Sequence, residues 1–431
     1  MNVPDAMSIR QAVVAAMPLA EELFTILRRS TTAGAGVSRE SYGPGEQIAH
    51  DLAAQFAREH GMDCAIDPAG NLYLTLRGRD ASLPAWITGS HLDSVPEGGN
   101  FDGAAGVIAG LVVAAGLRRA GIVPARDITV MAVRAEEASS WFAGSHQGHI
   151  GSRAALGTLE PEELRGAMHS RDGRTLGEHM REAGFDPMAI RGADPYLTPE
   201  RFHGYLELHI EQGPVLENIG KPAGIVTGIR GSSRARNARC IGAYSHSGAV
   251  PREYRSDAVL ATAALCTRLD DAWSEMQAAG ADLVFTVGKL CTDPDAHGIT
   301  KVPGETRFTI DLRSQEIETL EAMTARARAV ADEIGRQRRV TFDLGKFDLS
   351  APARMDAGLQ EALAEGANAL GIDAPALPSG AGHDAQDFAH AGFRAGMIFV
   401  RNANGSHNPH EAMAMEDFCL GTQLLAWMLA R

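Results

Sequence analysis

The sequence predicts an α/β fold of two domains, one inserted in the other, and three observations predict it. The chain has 431 residues, too many for one small core. Apolar strand-like runs alternate with helical patterns, as expected of a sheet layered with helices. From about residue 229 to 348 the pattern changes to a self-contained β-α-β-β-α-β set. The expected division is 1–228 with 349–431 as one domain and 229–348 as the insertion.

The elements follow in order. GEQIAHDLAAQFAREH (45–60) spaces its apolar residues as a helix does, and GNLYLTLRG (70–78) alternates as a strand does. AWITGS (85–90) is a short apolar run that leads into His91. AAGVIAGLVVAAGLRRAG (104–121) is apolar all round and reads as a buried helix. DITVMAVRAEE (127–137) is an apolar strand with acids at its end, and FHGYLELHIEQGP (202–214) repeats that design. In the insertion, SRARNARCIGAYS, DLVFTVGKL, TRFTIDLRS and VTFDLGKF read as strands, with helices SDAVLATAALCTRLDDAWSEM and ETLEAMTARARAVADEIGRQ between them. This set resembles the ferredoxin-like split unit. The chain returns through a helix, DAGLQEALAEGANALG, then GAGHDAQDFA, the apolar strand AGMIFV and the loop NGSHNPHE.

Composition narrows the function classes. A formal net charge of −14 argues against a nucleic-acid binder. The five cysteines form no C-x-x-C pair, so they read as reduced thiols and not as a thiolate zinc site. The N-terminal stretch reads as an amphipathic helix interrupted by charge rather than a signal peptide. No apolar run approaches the roughly 20 residues that span a bilayer. A cytoplasmic protein without membrane partners is expected. GGNFDGAAG lacks the G-x-G-x-x-G spacing of a dinucleotide site.

The polar residues fall at strand ends, where an α/β sheet gathers its ligands. A two-metal hydrolytic site needs imidazole and carboxylate ligands, a bridging carboxylate, a free carboxylate base and acids behind the imidazoles. His91 ends a strand, Asp93 lies two residues on, and Asp102 opens a helix after a pair of glycines. Glu136 and Glu137 are adjacent, so their side chains diverge and one can ligate while the other faces water. His209 ends another strand, and His407 follows the last one. A single histidine at a strand end is usually a packed or surface residue, and the weight lies in the coincidence of these clusters.

GSHLDSVPEGGNFDGAAGV, AEE, LELHIEQGPVLE and NGSHNPHE together resemble the hydantoinase/carbamoylase branch of the M20 metallopeptidase superfamily. The segment 157–187 resembles one typical of that branch. The resemblance implies an M20-type catalytic α/β domain, with a lid that also joins a homodimer, and two Zn²⁺ or Mn²⁺ ions, with Co²⁺ or Ni²⁺ as variants. It implies His91, Asp102, Glu137, His209 and His407 as ligands, with Asp102 bridging, and Glu136 as general base on a hydroxide shared by the metals. Asp93 is implied behind the first ligand. Gln212, His246, Arg313 and Gly382 are implied as substrate contacts, with His246 polarising the scissile carbonyl and Arg313 pairing a substrate carboxylate. His383 is implied to stand behind the ligands.

The departures fall where substrate is selected. Thr300 in TKVPG stands where the branch usually has Asn. HSGAVPREYRSDA, EEASSWF and NGSHNP also differ from the common patterns. The expected reaction is hydrolysis of the ureido (carbamoyl) bond of an N-carbamoyl amino acid. Ureidoglycolate or allantoate hydrolysis, cleavage of another N-acyl amino acid or dipeptide, and a catalytically dead carboxylate binder remain as alternatives.

Overall fold

The computed structural model describes residues 4–145, 147–190 and 195–431. The chain divides into two compact units, Met1–Thr227 with Arg354–Arg431, and Gly228–Ala353. The second boundary lies beyond residue 348 because Asp348–Ser350 pairs antiparallel with Ser232–Arg234 and so stays with the inserted unit.

The larger unit is built on a mixed sheet. From one side its strands run Ala223–Ile229, Ala395–Val400, Phe202–Ile210, Ala85–His91, Ile128–Val133, Leu72–Leu76 and Asp63–Ile66. The four strands Ala395–Val400, Phe202–Ile210, Ala85–His91 and Ile128–Val133 are mutually parallel neighbours. The flanking pairings are antiparallel. Ile128–Val133 and Ala395–Val400 are buried throughout, which is why they read as unbroken apolar runs.

The helix Ala104–Arg119 packs its apolar surface into this sheet and is buried from Ala104 through Leu117. Two further helices share its core, Ala6–Thr31 and Met415–Leu429. Gly106 sets how near the central helix approaches. A Cβ there would overlap the Leu208 carbonyl oxygen and lie 2.8 Å from Ser90 Cβ. The helix start, with Asp102 just before it, is thereby brought against the ends of the two middle strands.

The inserted unit is antiparallel. Its element order is strand Gly231–Ile241, helix Ala258–Ala278, strands Val284–Thr286 and Leu290–Thr292, strand Glu305–Ser314, helix Ile317–Arg338, and strands Thr341–Asp343 and Asp348–Ser350. Glu305–Ser314 and Gly231–Ile241 pair at the centre of the sheet. Leu265, Leu269, Phe308, Ile310, Leu312, Met323 and Ile334 form its core. Among the described residues, no helix is long and apolar enough to cross a membrane.

Gly106→Val is expected to destabilise the larger unit by about 1–3 kcal/mol through overpacking. It should read as a lower urea midpoint, and an unchanged midpoint would contradict the close helix–sheet contact.

Candidate functional site

Each of the four parallel strands delivers a polar side chain at its carboxyl end. His91 closes Ala85–His91 and His209 lies at the end of Phe202–Ile210. Glu136 and Glu137 follow Ile128–Val133, and His407 follows Ala395–Val400. Asp102 comes from the helix side, through Gly103 at φ 66°. A Cβ on Gly103 would overlap the His91 ring, so glycine is needed here for space as well as conformation.

The turn that carries the two glutamates is fixed by buried side chains. The amides of Arg134 and Ala135 donate to Asn71 Oδ1 (3.0 Å) and Glu46 Oε1 (2.7 Å). Those of Glu136 and Glu137 donate to Asp93 Oδ1 (3.1 Å) and Oδ2 (3.0 Å). Ala135 sits at φ 54°, a conformation costly for a non-glycine residue that these bonds hold in place. Asp93 thus does more than stand behind His91. Its carboxylate grips the glutamate turn with Oδ1 also 3.4 Å from His91 Nδ1, and the Asp93 backbone oxygen lies nearer that nitrogen, at 3.1 Å.

The side chains meet in two trios that share one carboxylate. His91, Asp102 and His209 form the first, and Asp102, Glu137 and His407 the second, with ligand atoms of each within 4.8 Å of one another. His209 Nε2 lies 3.3 Å and His91 Nε2 3.9 Å from Asp102 Oδ1. His407 Nε2 lies 3.3 Å from Asp102 Oδ2 and 2.9 Å from Glu137 Oε1. The two oxygens of Asp102 therefore face different trios. His209 Nδ1 lies 2.8 Å from the Ile210 carbonyl, and with His91 Nδ1 also on a carbonyl both rings turn Nε2 to Asp102. Ser406 Oγ sits between Asp102 Oδ2 and Glu411 Oε2, at 2.7 and 2.8 Å.

Glu136 belongs to neither trio. Its Oε2 lies 3.8 Å from His91 Nε2, while Oε1 lies 3.1 Å from His149 Nε2. His149 Nδ1 in turn lies 2.6 Å from Asp387 Oδ2. Gln212 Nε2 lies 3.2 Å from both oxygens of Asp102. Gly382 borders the His149 ring, where an added Cβ would lie 3.3 Å from Cε1 and Nε2. His383 Nε2 bonds Ser379 Oγ at 2.9 Å, and its ring lies beside that of His209, centroids 4.5 Å apart. His149, Gln212 and His407 all have positive φ (52°, 61° and 59°), so backbone strain collects around the cluster.

Electrostatics favour cations here. Burial pulls His91 down, yet the carboxylates of Glu136, Asp93 and Asp102 outweigh it and hold its pKa well above the ordinary value. Hydrogen bonds to Asp102 and Glu137 raise His407 to about 11. Burial, together with the charges of Glu136 and Asp102, pushes Glu137 up to about 7. Burial opposes ionisation of Glu136, but His91 and His149 prevail and hold it at about 2. The field that keeps protons on His91 and His407 also stabilises divalent ions in their place, while burial lowers the pKa of His209. With imidazole nitrogen and carboxylate oxygen in each trio, the donor set fits two such ions.

The remaining sequence-derived residues lie in the inserted unit. His246 is exposed on a short ribbon, Ser245–His246 paired with Lys301–Val302, and the Thr300 carbonyl accepts the Ser247 amide at 2.9 Å. His246 Nδ1 accepts the amides of Gly248 and Ala249, both at 3.1 Å, which leaves Nε2 to carry the proton. Arg313 lies on Glu305–Ser314 with its guanidinium on Asp311 Oδ2 at 3.0 and 3.2 Å.

Sequence reasoning missed His149, Asp387, Glu46, Ser406 and Glu411. The available signals were the glycine before His149 and the acid three residues after the GHD of GHDAQD. A further trio, His169, Asp172 and His179, lies in the branch-typical segment. We assign no ion to it: His169 Nε2 faces Glu40 Oε1 at 2.9 Å, and Asp172 already takes Arg174 Nε at 2.9 Å.

Residues 87–431 match the family described as peptidase family M20/M25/M40. An N-carbamoyl-L-amino acid amidohydrolase of Geobacillus stearothermophilus is 36% identical over 400 residues, 92% of this chain and 94% of that protein. An allantoate amidohydrolase of Escherichia coli is 32% identical over 407 residues, covering 91% and 92%. The crystal structure of a hydantoinase/carbamoylase family amidase from Burkholderia ambifaria superposes with a TM-score of 0.84 at 29% identity, over 96% of both chains. The chain belongs to the M20/M25/M40 family, a family of metal-dependent hydrolases.

Divalent-ion affinity is expected to fall as pH is lowered, because His91 and His407 take up protons in competition with the ions. Ion binding should then release protons, visible as a calorimetric enthalpy that varies with the ionisation enthalpy of the buffer. The same enthalpy in every buffer would contradict this.

Proposed function

We propose that this chain hydrolyses the ureido (carbamoyl) bond of an N-carbamoyl amino acid. The observation that carries the reading is the pair of ligand trios sharing Asp102, with Glu136 beside them and outside both. Its similarity to an N-carbamoyl-L-amino acid amidohydrolase, at 36% identity, points to the substrate class. Hydrolysis of allantoate or ureidoglycolate is the second reading, favoured by the similarity to an allantoate amidohydrolase and left open by Thr300, which stands where the branch usually has Asn. An N-acyl amino acid or dipeptide is the further alternative within the family.

In this reading His91 and His209 would hold one ion and Glu137 and His407 the other, with Asp102 available to each. Two bound divalent ions, Zn²⁺ or Mn²⁺ with Co²⁺ or Ni²⁺ as variants, supply Lewis acidity and lower the pKa of water. Glu136 takes the proton of the attacking water and returns it to the leaving nitrogen. His246, with Nδ1 occupied by two amides, offers its Nε2 proton to the developing oxyanion. The planar guanidinium of Arg313 suits the substrate carboxylate, which would take the place of Asp311. Gln212 and the Gly382 backbone complete the contacts. The products are the amino acid and carbamic acid, which decomposes to CO₂ and ammonia.

We read the inserted unit, from its strand order and element order, as a ferredoxin-like domain that serves as the lid and the homodimer contact. The expected setting is the cytoplasm, with a small carboxylate as substrate and neither nucleic acid nor membrane as partner.

A panel of N-carbamoyl, N-acetyl and N-formyl amino acids, allantoate and ureidoglycolate, assayed for ammonia or free amine, tests the reading. Activity is expected on the N-carbamoyl compounds, lost on chelation and restored by Zn²⁺ or Mn²⁺. Glu136→Gln should keep its ions and lose turnover by about three orders of magnitude or more. Full activity in ion-free protein would overturn the mechanism, and turnover of allantoate alone would overturn the substrate.

A further inference from the structure

We infer that His149, braced by Asp387, is a positioning residue that selects which oxygen of Glu136 accepts the proton; this rests on the hydrolytic reading above. A carboxylate offers two equivalent oxygens, and its terminal torsion is broad and only loosely two-fold. A base has to present one oxygen in one direction, and a misplacement of about 1 Å can cost about 100-fold in rate. In this site the two oxygens are not equivalent. Glu136 Oε1 is tied to His149 Nε2 at 3.1 Å, and Oε2 is turned toward His91, 3.8 Å from its Nε2.

The imidazole that makes the tie is itself fixed. Its Nδ1 lies 2.6 Å from Asp387 Oδ2, a distance in the range of charge-assisted hydrogen bonds. Both side chains are largely buried, at 12% and 17% exposure. Asp387 stands on the helix Asp384–His390, whose start is anchored where the Ala385 amide meets Glu207 Oε2 at 2.8 Å. The His149 backbone is stitched to the glutamate turn. The amides of His149, Ile150 and Gly151 donate to the carbonyls of Glu136 (2.8 Å), Ala135 (3.1 Å) and Arg134 (2.9 Å). Base and clamp therefore ride on one rigid unit.

Two details agree with a selected arrangement. His149 is held at φ 52°, a conformation that a non-glycine residue adopts only when its surroundings enforce it. Gly382 leaves the ring its space, since a Cβ there would press on Cε1 and Nε2 from 3.3 Å. The arrangement Asp387–His149–Glu136 has the logic of a reactive group oriented by a second group that is oriented by a third.

The test uses His149→Gly in the full-length, ion-loaded protein. Glycine adopts this φ without strain, so the fold is retained while the imidazole is lost. We expect kcat to fall about 100-fold with KM and ion content unchanged, and added imidazole to restore part of the loss. Asp387→Asn should lower kcat less, and the double variant should be no worse than His149→Gly alone. A second readout needs no turnover: a low-field imidazole N–H proton resonance, absent from His149→Gly, lost or moved in Asp387→Asn, and shifted in Glu136→Gln. Wild-type kcat in His149→Gly, or a resonance unmoved by Glu136→Gln, would overturn the inference. If the wild type turns over none of the ureido compounds, the proposed function fails, while the resonance still decides whether His149 governs Glu136.

Discussion

Asp102 is the carboxylate common to both His/Asp/Glu trios, and much of the surrounding structure serves to put its two oxygens where they are. Oδ1 faces His91 and His209, and Oδ2 faces His407. That division depends on a loop held from several sides. Glu411 accepts the amides of Phe101 and Asp102 at 2.8 and 3.2 Å, and Gly103 turns the chain into the helix with no side chain to meet the His91 ring. Gly106 then lets that helix sit directly on the two middle strands, so a helix start and two strand ends converge. An anionic group shared by two trios, in a buried setting, is stable only when positive charge surrounds it. The raised pKa values of His91 and His407 express the same demand that divalent ions would meet.

The acid pair depends on a second buried carboxylate. Asp93 takes the amides of both Glu136 and Glu137, and Glu46 takes that of Ala135. With the backbone so held, adjacent side chains are driven apart. Glu137 reaches His407 and Glu136 reaches His149. The two glutamates are therefore neighbours in sequence that take different partners.

Much of this was legible in the sequence because parallel strands buried on both faces leave unbroken apolar runs, and the polar residue that ends each run must lie at the sheet's carboxyl edge. His91, the Glu136–Glu137 pair and His209 could be placed by that rule, and the buried helix 104–119 by its all-round apolar surface. The two helices and the long strands of the insertion were readable from alternation of the two periodicities, although the run DLVFTVGKL divides into Val284–Thr286 and Leu290–Thr292. What stayed hidden depends on tertiary contact. His149 ends no strand, and it reaches Glu136 only because the backbone of 149–151 is bonded to 134–136. Glu46 lies in a helix whose pattern reads as an ordinary amphipathic one, yet it is fully buried against the glutamate turn. Arg313 shows the opposite case. Its partner Asp311 stands two residues away on the same face of one strand, a neighbour that TIDLRS displays openly.

The central claim is that one carboxylate serves two ion sites, and the number of ions retained by single-residue variants tests it most directly. After equilibration with Zn²⁺ and removal of free metal, the wild type should retain two ions per chain. His407→Ala should retain one, and Asp102→Ala should retain neither at the wild-type affinity. One ion tightly held in Asp102→Ala, or two in His407→Ala, would contradict the account.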